Sequence, residues 1–258
     1  WIQIRNRSRN LTVQYCEVNG GYPTYSNSGA GIVIGDSALQ RSVAANYGLW
    51  WENYLITRNY VHGTRNSGMY LGPNFADGEL PVRNIEVSFN TLDTFGYSGM
   101  TCKSWWEGTN SIHDNTIDTT GLLKDGTAIQ RDGISVLSAT CDIYNNKIFN
   151  TGDGQAASPT AQSLKLYVHN GPLTGVTFQG FGPYTTFPYS IYNNLIVNGA
   201  KVGITVGRSS TSVVPPVPSI YNNTVTQCTE LGITTSDTGG GFVRNNIVIE
   251  NNNGGTQI

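Results

Sequence analysis

Lys103 is the residue on which chemistry could turn. It is followed by Ser104-Trp105-Trp106-Glu107-Gly108, a short loop with two adjacent indoles and a carboxylate. Tyr97 and Thr101 precede it, Tyr70 stands one repeat earlier, and Arg131-Asp132 lie just before the next repeat's strand. A cation among aromatic and small residues suits a sugar. Ring faces stack on pyranoses, glycine leaves room beside them, and an amine can take a proton. Trp105 and Trp106 are expected to line sugar subsites, with Glu107, Asp132 and Tyr70 completing the binding surface. The bland alternative is a solvated lysine beside indoles that merely cover the side of the molecule.

These residues are positioned by a repeat. The pattern apolar-x-apolar-x-x-Asn-x-apolar, sometimes shortened, recurs at Asn59, Asn90, Asn115, Asn146, Asn194, Asn223 and Asn246, and an eighth copy has Cys16 in place of Asn. A second column follows each rung: Gly31-Ile32, Gly68-Met69, Gly99-Met100, Gly133-Ile134, Gly203-Ile204 and Gly232-Ile233, with a degenerate copy expected at Leu164-Lys165-Leu166-Tyr167-Val168. The basic unit is about 23 residues with insertions, as in solenoids. Its segments alternate with period two and lack helical spacing. Strands stacked coil on coil at ~4.8 Å would give a rod of roughly 35–40 Å. The fold expected is all-β, a right-handed parallel β-helix of seven to eight coils, one domain over 1–258, either a mature chain or a segment of a longer one.

In such a fold each position forms a line along the rod. The Asn line reads as scaffold, since stacked amides hydrogen-bond up and down and Asn tolerates unusual turn angles. Ile134, Val136, Ile143, Ile148, Ile191, Ile196, Ile204 and Val206 are expected to point inward. The outward line Gly35, Gly72, Lys103, Leu137, Gly207, Ser236 carries one charge, Lys103. Long insertions at 36–53, 73–83, 104–109 and 169–188 gather at one corner of the coil, and loops on one face of a solenoid usually build its binding surface.

Composition narrows the partners. Charged residues are 12% and the net charge is −2, so the basic face of a nucleic-acid binder is missing. No apolar run is long enough to span a membrane. The 4 cysteines have no metal spacing and leave three disulfide pairings open, Cys102 reading as a buried core thiol. His62, His113 and His169 fall in different coils, which argues against a histidine metal site. His113 is expected to be exposed. No terminal cap is visible, so rods could associate end to end.

The Asn rungs and Gly-Ile strands resemble the right-handed parallel β-helix repeat proteins over essentially the whole chain. One stretch is more specific. Met100-Thr101-Cys102-Lys103-Ser104 followed by Asn110-Ser111-Ile112-His113-Asp114-Asn115-Thr116-Ile117 is similar to the catalytic-lysine segment of polysaccharide lyase family 6, the alginate lyases and chondroitinase B. That resemblance implies Lys103 as proton-abstracting base, a polysaccharide partner and a secreted or extracellular setting. The family's arginine falls on the next coil's strand, where this chain has Leu137; the nearest arginine is Arg131. Its calcium-binding cluster has no residue-by-residue counterpart, so Ca2+ stays open as a cofactor and no other is expected.

Three functions follow. In a lyase, Lys103 removes the proton beside a uronate carboxylate, Arg131 neutralises that carboxylate, and Tyr97 or His113 assists as acid. In a glycoside hydrolase, Asp132 and Glu107 form the carboxylate pair. In a non-catalytic rod, an adhesin or fibre, the same surface binds glycan or nothing.

Overall fold

The computed structural model describes residues 1–4, 8–21, 29–35, 51–72, 82–103, 105, 108–122, 132–137, 140–151, 162–168, 187–199, 202–208, 216–228, 230–235, 238 and 240–251. The four insertions expected to build a surface lie largely outside these residues. Each nevertheless joins a strand of one sheet to a strand of the next.

Three 8-stranded parallel sheets run along a right-handed helix, each coil giving one strand to each sheet. The first holds Ile2–Ile4, Ile32–Ile34, Met69–Leu71, Met100–Lys103, Ile134–Leu137, Gln162–Val168, Val202–Arg208 and Leu231–Thr235. The second holds Arg9–Gln14, Trp51–Thr57, Val82–Ser88, Ser111–His113, Cys141–Tyr144, Phe187–Tyr192, Pro216–Tyr221 and Phe242–Arg244. The third holds Glu17–Asn19, Tyr60–Thr64, Thr91–Phe95, Thr116–Asp118, Lys147–Phe149, Leu195–Val197, Thr224–Thr226 and Ile247–Ile249. The degenerate copy pairs in the expected register, Leu164 opposite Ile134 and Leu166 opposite Val136.

Alternation explains the core. Ile134, Val136, Ile143, Ile148, Ile191, Ile196, Ile204 and Val206 are all at 0% exposure, stacked between the sheets with Met69, Met100 and Cys102. All four cysteines are free thiols. Burial pushes the Cys102 and Cys141 thiols well up and that of Cys228 up to about 12. Glycine precedes the first-sheet strands because the corner is tight: a Cβ on Gly99 would sit 2.5 Å from Ile117 Cγ2 and 2.7 Å from the Gly133 carbonyl.

The Asn line is the ladder the repeat implies. Asn146 Nδ2 donates to the carbonyls of Ile112 (2.9 Å) and Tyr144 (3.0 Å) and to Asn194 Oδ1 (3.0 Å). Its own Oδ1 accepts from Asn115 N (3.1 Å) and Asn115 Nδ2 (3.0 Å). Cys16 joins through its backbone N–H, which donates to Asn59 Oδ1 at 3.1 Å, while its Sγ donates to the Gln14 carbonyl at 3.4 Å.

The unusual backbone angle falls one residue earlier than expected. Tyr15, Arg58, Phe89, Asp114, Asn145, Asn193, Asn222 and Asn245, each preceding a ladder residue, have φ between 53° and 57°. Left-handed backbone costs an L-residue about 1–2 kcal/mol, less for Asn and Asp, whose short polar side chains adapt to it. The last five coils therefore use Asp or Asn at this corner, and the first three use Tyr, Arg and Phe. The guanidinium of Arg58 stacks 5.9 Å from the Tyr15 ring centroid and 5.2 Å from that of Phe89. Two exposed contacts of this kind contribute about 0.5–1 kcal/mol each, less than three bulky left-handed residues cost.

Candidate functional site

Lys103 ends the first-sheet strand Met100–Lys103, opposite Leu137 in the next coil. Its backbone is packed from below: a Cβ on Gly72 would lie 2.0 Å from the Lys103 carbonyl oxygen, and Gly72 has φ +108°. The small residue beside Lys103 thus makes room for backbone, where the sequence suggested room for a ligand. The half-buried lysine amine stands 4.8 Å from the centroid of the Tyr70 ring. Of the sequence candidates among the described residues, Tyr70 is the one whose ring meets the Lys103 amine.

Beside Lys103 run the outward positions Tyr70, Thr101 and Ser135 of the first sheet, and farther along the same parallel register Thr205 and Thr234. The middle of this register is covered: Thr101 is 4% exposed, Ser135 0% and Thr205 7%. Ser135 Oγ and Thr205 Oγ1 are buried without a hydrogen-bond partner among the described residues. Buried hydroxyls are normally paired, so each such atom calls for an explanation. Lys165 holds the register position between them.

Other expected members lie elsewhere. Trp105 is fully buried and bridges to Val82, which pairs with buried Trp51. Its indole N–H donates to the Leu71 carbonyl at 3.0 Å. The ring seals the corner between the first and second sheets and offers no face to a sugar, a correction to the expected subsite role. Asp132 is also buried, its backbone N–H donating to Ser98 Oγ at 3.2 Å. It enters the strand that Lys103's neighbour leaves, some five residues or ~16 Å away. That burial removes it from an exposed binding surface. Tyr97 is half-buried at the same entry corner, its amide donating to the Asn66 carbonyl at 3.4 Å. Trp106, Glu107 and Arg131 lie outside the described residues.

His113 belongs to the second sheet, away from Lys103. It was expected to be exposed, yet only 12% of its side chain is, because the imidazole is clamped on three sides. Nδ1 lies 2.8 Å from Asp114 Oδ2, Nε2 lies 3.4 Å from Glu86 Oε1, and the ring stacks on Tyr144 at 4.6 Å. The stack continues through Tyr192 and Tyr221 at 4.9 and 5.0 Å, one ring per coil. This spine was invisible in sequence because its members are two residues before the ladder Asn and change type along the rod. Among the described residues, no group of three or more His, Cys, Asp or Glu is arranged to hold a metal ion.

No protein-family model and no curated protein matches this sequence. Solved structures do. The periplasmic alginate epimerase AlgG aligns at TM-score 0.61 with 11% identity, over 94% of this chain and 46% of its own. An alginate lyase from Paenibacillus aligns at TM-score 0.44 with 15% identity, over 92% of this chain and 79% of its own. The enzymatically active domain of bacteriophage CBA120 tailspike protein 2 aligns at TM-score 0.44 with 10% identity, over 93% and 35%. The chain spans about half the length of the epimerase. At these identities the likeness is one of architecture, and it agrees with the sheets and ladders above: the chain is a right-handed parallel β-helix.

Proposed function

We propose that this chain is a carbohydrate-active β-helix that acts on a uronate-containing polysaccharide held along the outer face of the first sheet, cleaving it by β-elimination. The observation that carries the reading is Lys103, half-buried and set over the Tyr70 ring at 4.8 Å. The amine is the base that takes the proton next to the sugar carboxylate. As that proton leaves, the bond to the departing sugar oxygen breaks and a carbon–carbon double bond forms. Tyr70, adjacent to the amine, replaces Tyr97 and His113 as the group placed to protonate the leaving oxygen. Arg131, which the sequence assigned to neutralise the carboxylate, lies outside the described residues. The epimerase and lyase among the structural neighbours act on alginate, which is consistent with a uronate ligand and does not by itself assign one.

The test is incubation with a panel of uronic and neutral glycans, read by ultraviolet absorbance of unsaturated ends and by new reducing ends. Lys103→Ala should lower turnover about a hundredfold or more, the scale of a lost general base, with the melting temperature unchanged. Reducing ends without absorbance would replace elimination with hydrolysis. Binding without cleavage would favour the second reading, a glycan-binding rod. That reading has its own support: among the described residues, Tyr70 is the sole sequence-predicted site partner brought to Lys103.

A further inference from the structure

We infer that the corner between the second and third sheets in the first three coils is a separate contact site for an acidic glycan, built from Tyr15, Arg58 and Phe89. The corner is distinct from the first-sheet face, and the inference draws on the proposed function only for the class of the ligand. Three observations converge. The backbone at this corner is left-handed in every coil, and the later coils hold residues suited to it: Asp114, Asn145, Asn193, Asn222 and Asn245. Tyr15, Arg58 and Phe89 break that pattern together, in consecutive coils, at an energetic disadvantage that their mutual contacts do not offset. Unfavourable backbone retained in a cluster of this kind points to function rather than folding.

The second observation is exposure. Tyr15 is 71% exposed and Phe89 50%, and Arg58 is exposed between them. The two exposed rings flank the Arg58 guanidinium, so the three side chains form one accessible strip along the corner. The third is charge. The Arg58 guanidinium is held by two rings, at 5.9 and 5.2 Å, and makes no ion pair with any described residue. The nearby carboxylates are already engaged: Glu86 and Asp114 both turn onto His113, which meets Phe89 edge-on at 5.9 Å. The corner therefore presents a pre-positioned planar cation with an apolar ring on each side. A guanidinium binds a carboxylate or sulfate through two parallel hydrogen bonds, while the rings cover the apolar faces of adjoining sugars. The rings stand two coil steps apart, ~10 Å, so the ligand is a chain running along the rod and not a single sugar.

The test replaces all three residues with the one that later coils use: Tyr15→Asn, Arg58→Asn, Phe89→Asn. This variant should fold with a melting temperature equal to or above the parent's, because Asn suits the backbone. It is made in the Lys103→Ala chain, so that first-sheet contacts are already weakened. Binding is measured by calorimetry with alginate and polygalacturonate as acidic probes and dextran as a neutral one. The expected result is about a tenfold or greater loss of affinity for the acidic probes, the scale of a lost charge-assisted contact, with a weaker salt dependence. Affinity within twofold of the Lys103→Ala parent, equal loss on dextran, or no binding of either acidic probe by any form would overturn the inference. If Lys103→Ala alone changes neither turnover nor binding, the first-sheet reading fails while the corner site is still judged by the triple variant.

Discussion

Replacing Asn146 with alanine tests the idea that the amide ladder, and not hydrophobic stacking alone, holds the coils in register. Asn146 is 0% exposed, and its side chain joins three coils. Removing it strands the backbone N–H of Asn115, for which the Asn146 Oδ1 is the partner at 3.1 Å. A buried N–H left without a partner costs about 1–3 kcal/mol. The bonds donated by Nδ2 to the Ile112 carbonyl and Asn194 Oδ1 add about 1 kcal/mol each, for about 3–5 kcal/mol in all. At the end of the line, Asn246 bonds to the Ile220 and Arg244 carbonyls and accepts from Asn223 N, but among the described residues it donates to no further ladder Asn, and it is only half-buried. Water can replace what Asn246→Ala removes, so that variant should cost about 1 kcal/mol or less. The pair shares the bonds to two carbonyls and from one backbone N–H, and differs in the amide bond to a following coil, about 1 kcal/mol, and in solvent access. Urea unfolding of both, followed by circular dichroism, gives the comparison, and Asn146→Ala should also lower the melting temperature by about 6 °C or more. Equal losses in the two variants, or a loss below about 1 kcal/mol at Asn146, would refute the ladder as the source of register.

Trp105→Ala should behave as a core deletion, costing about 3–5 kcal/mol in denaturant unfolding, while Trp105→Phe, which keeps a ring and loses the bond to Leu71, should cost about 1–2 kcal/mol; a pure loss of glycan affinity at full stability would restore the subsite role. The thiols offer a count: in native protein at pH 8, Cys16, half-buried, should react with a disulfide reagent, while Cys102, Cys141 and Cys228 wait for denaturant. The same burial has an alkaline consequence. An unfolded thiol ionises near its ordinary 9.0, whereas folded Cys228 holds its proton to about 12. Between those values the unfolded state binds fewer protons, so stability falls as pH rises through the window. Cys228→Ala should flatten that fall in melting temperature, and an unchanged slope would count against it.

Much of this molecule was legible in its sequence because a solenoid repeats its physics. An inward position recurs in every coil, so Ile134, Ile148 and Ile204 could be assigned by comparison within the chain, and the ladder Asn declared itself by never changing place. Tyr70 and Lys103 were also within reach, as outward positions on neighbouring first-sheet strands. The misplaced residues share a cause: contacts between sheets do not follow from period-two alternation. Trp105 looked like a surface indole because it follows an outward lysine, yet the chain bends there and drives the ring into the corner against Val82 and Leu71. Asp132 and Lys103 are near in the repeat but enter and leave the first sheet at opposite ends. His113 is turned onto Glu86 and Asp114, one from the preceding coil and one from its own. Sequence alone thus determined the fold, the core and the ladder, since each depends on a residue's own column. Only the tertiary structure decided which side chains share a face, because that depends on how the chain turns between columns, and those turns carry no periodic signal.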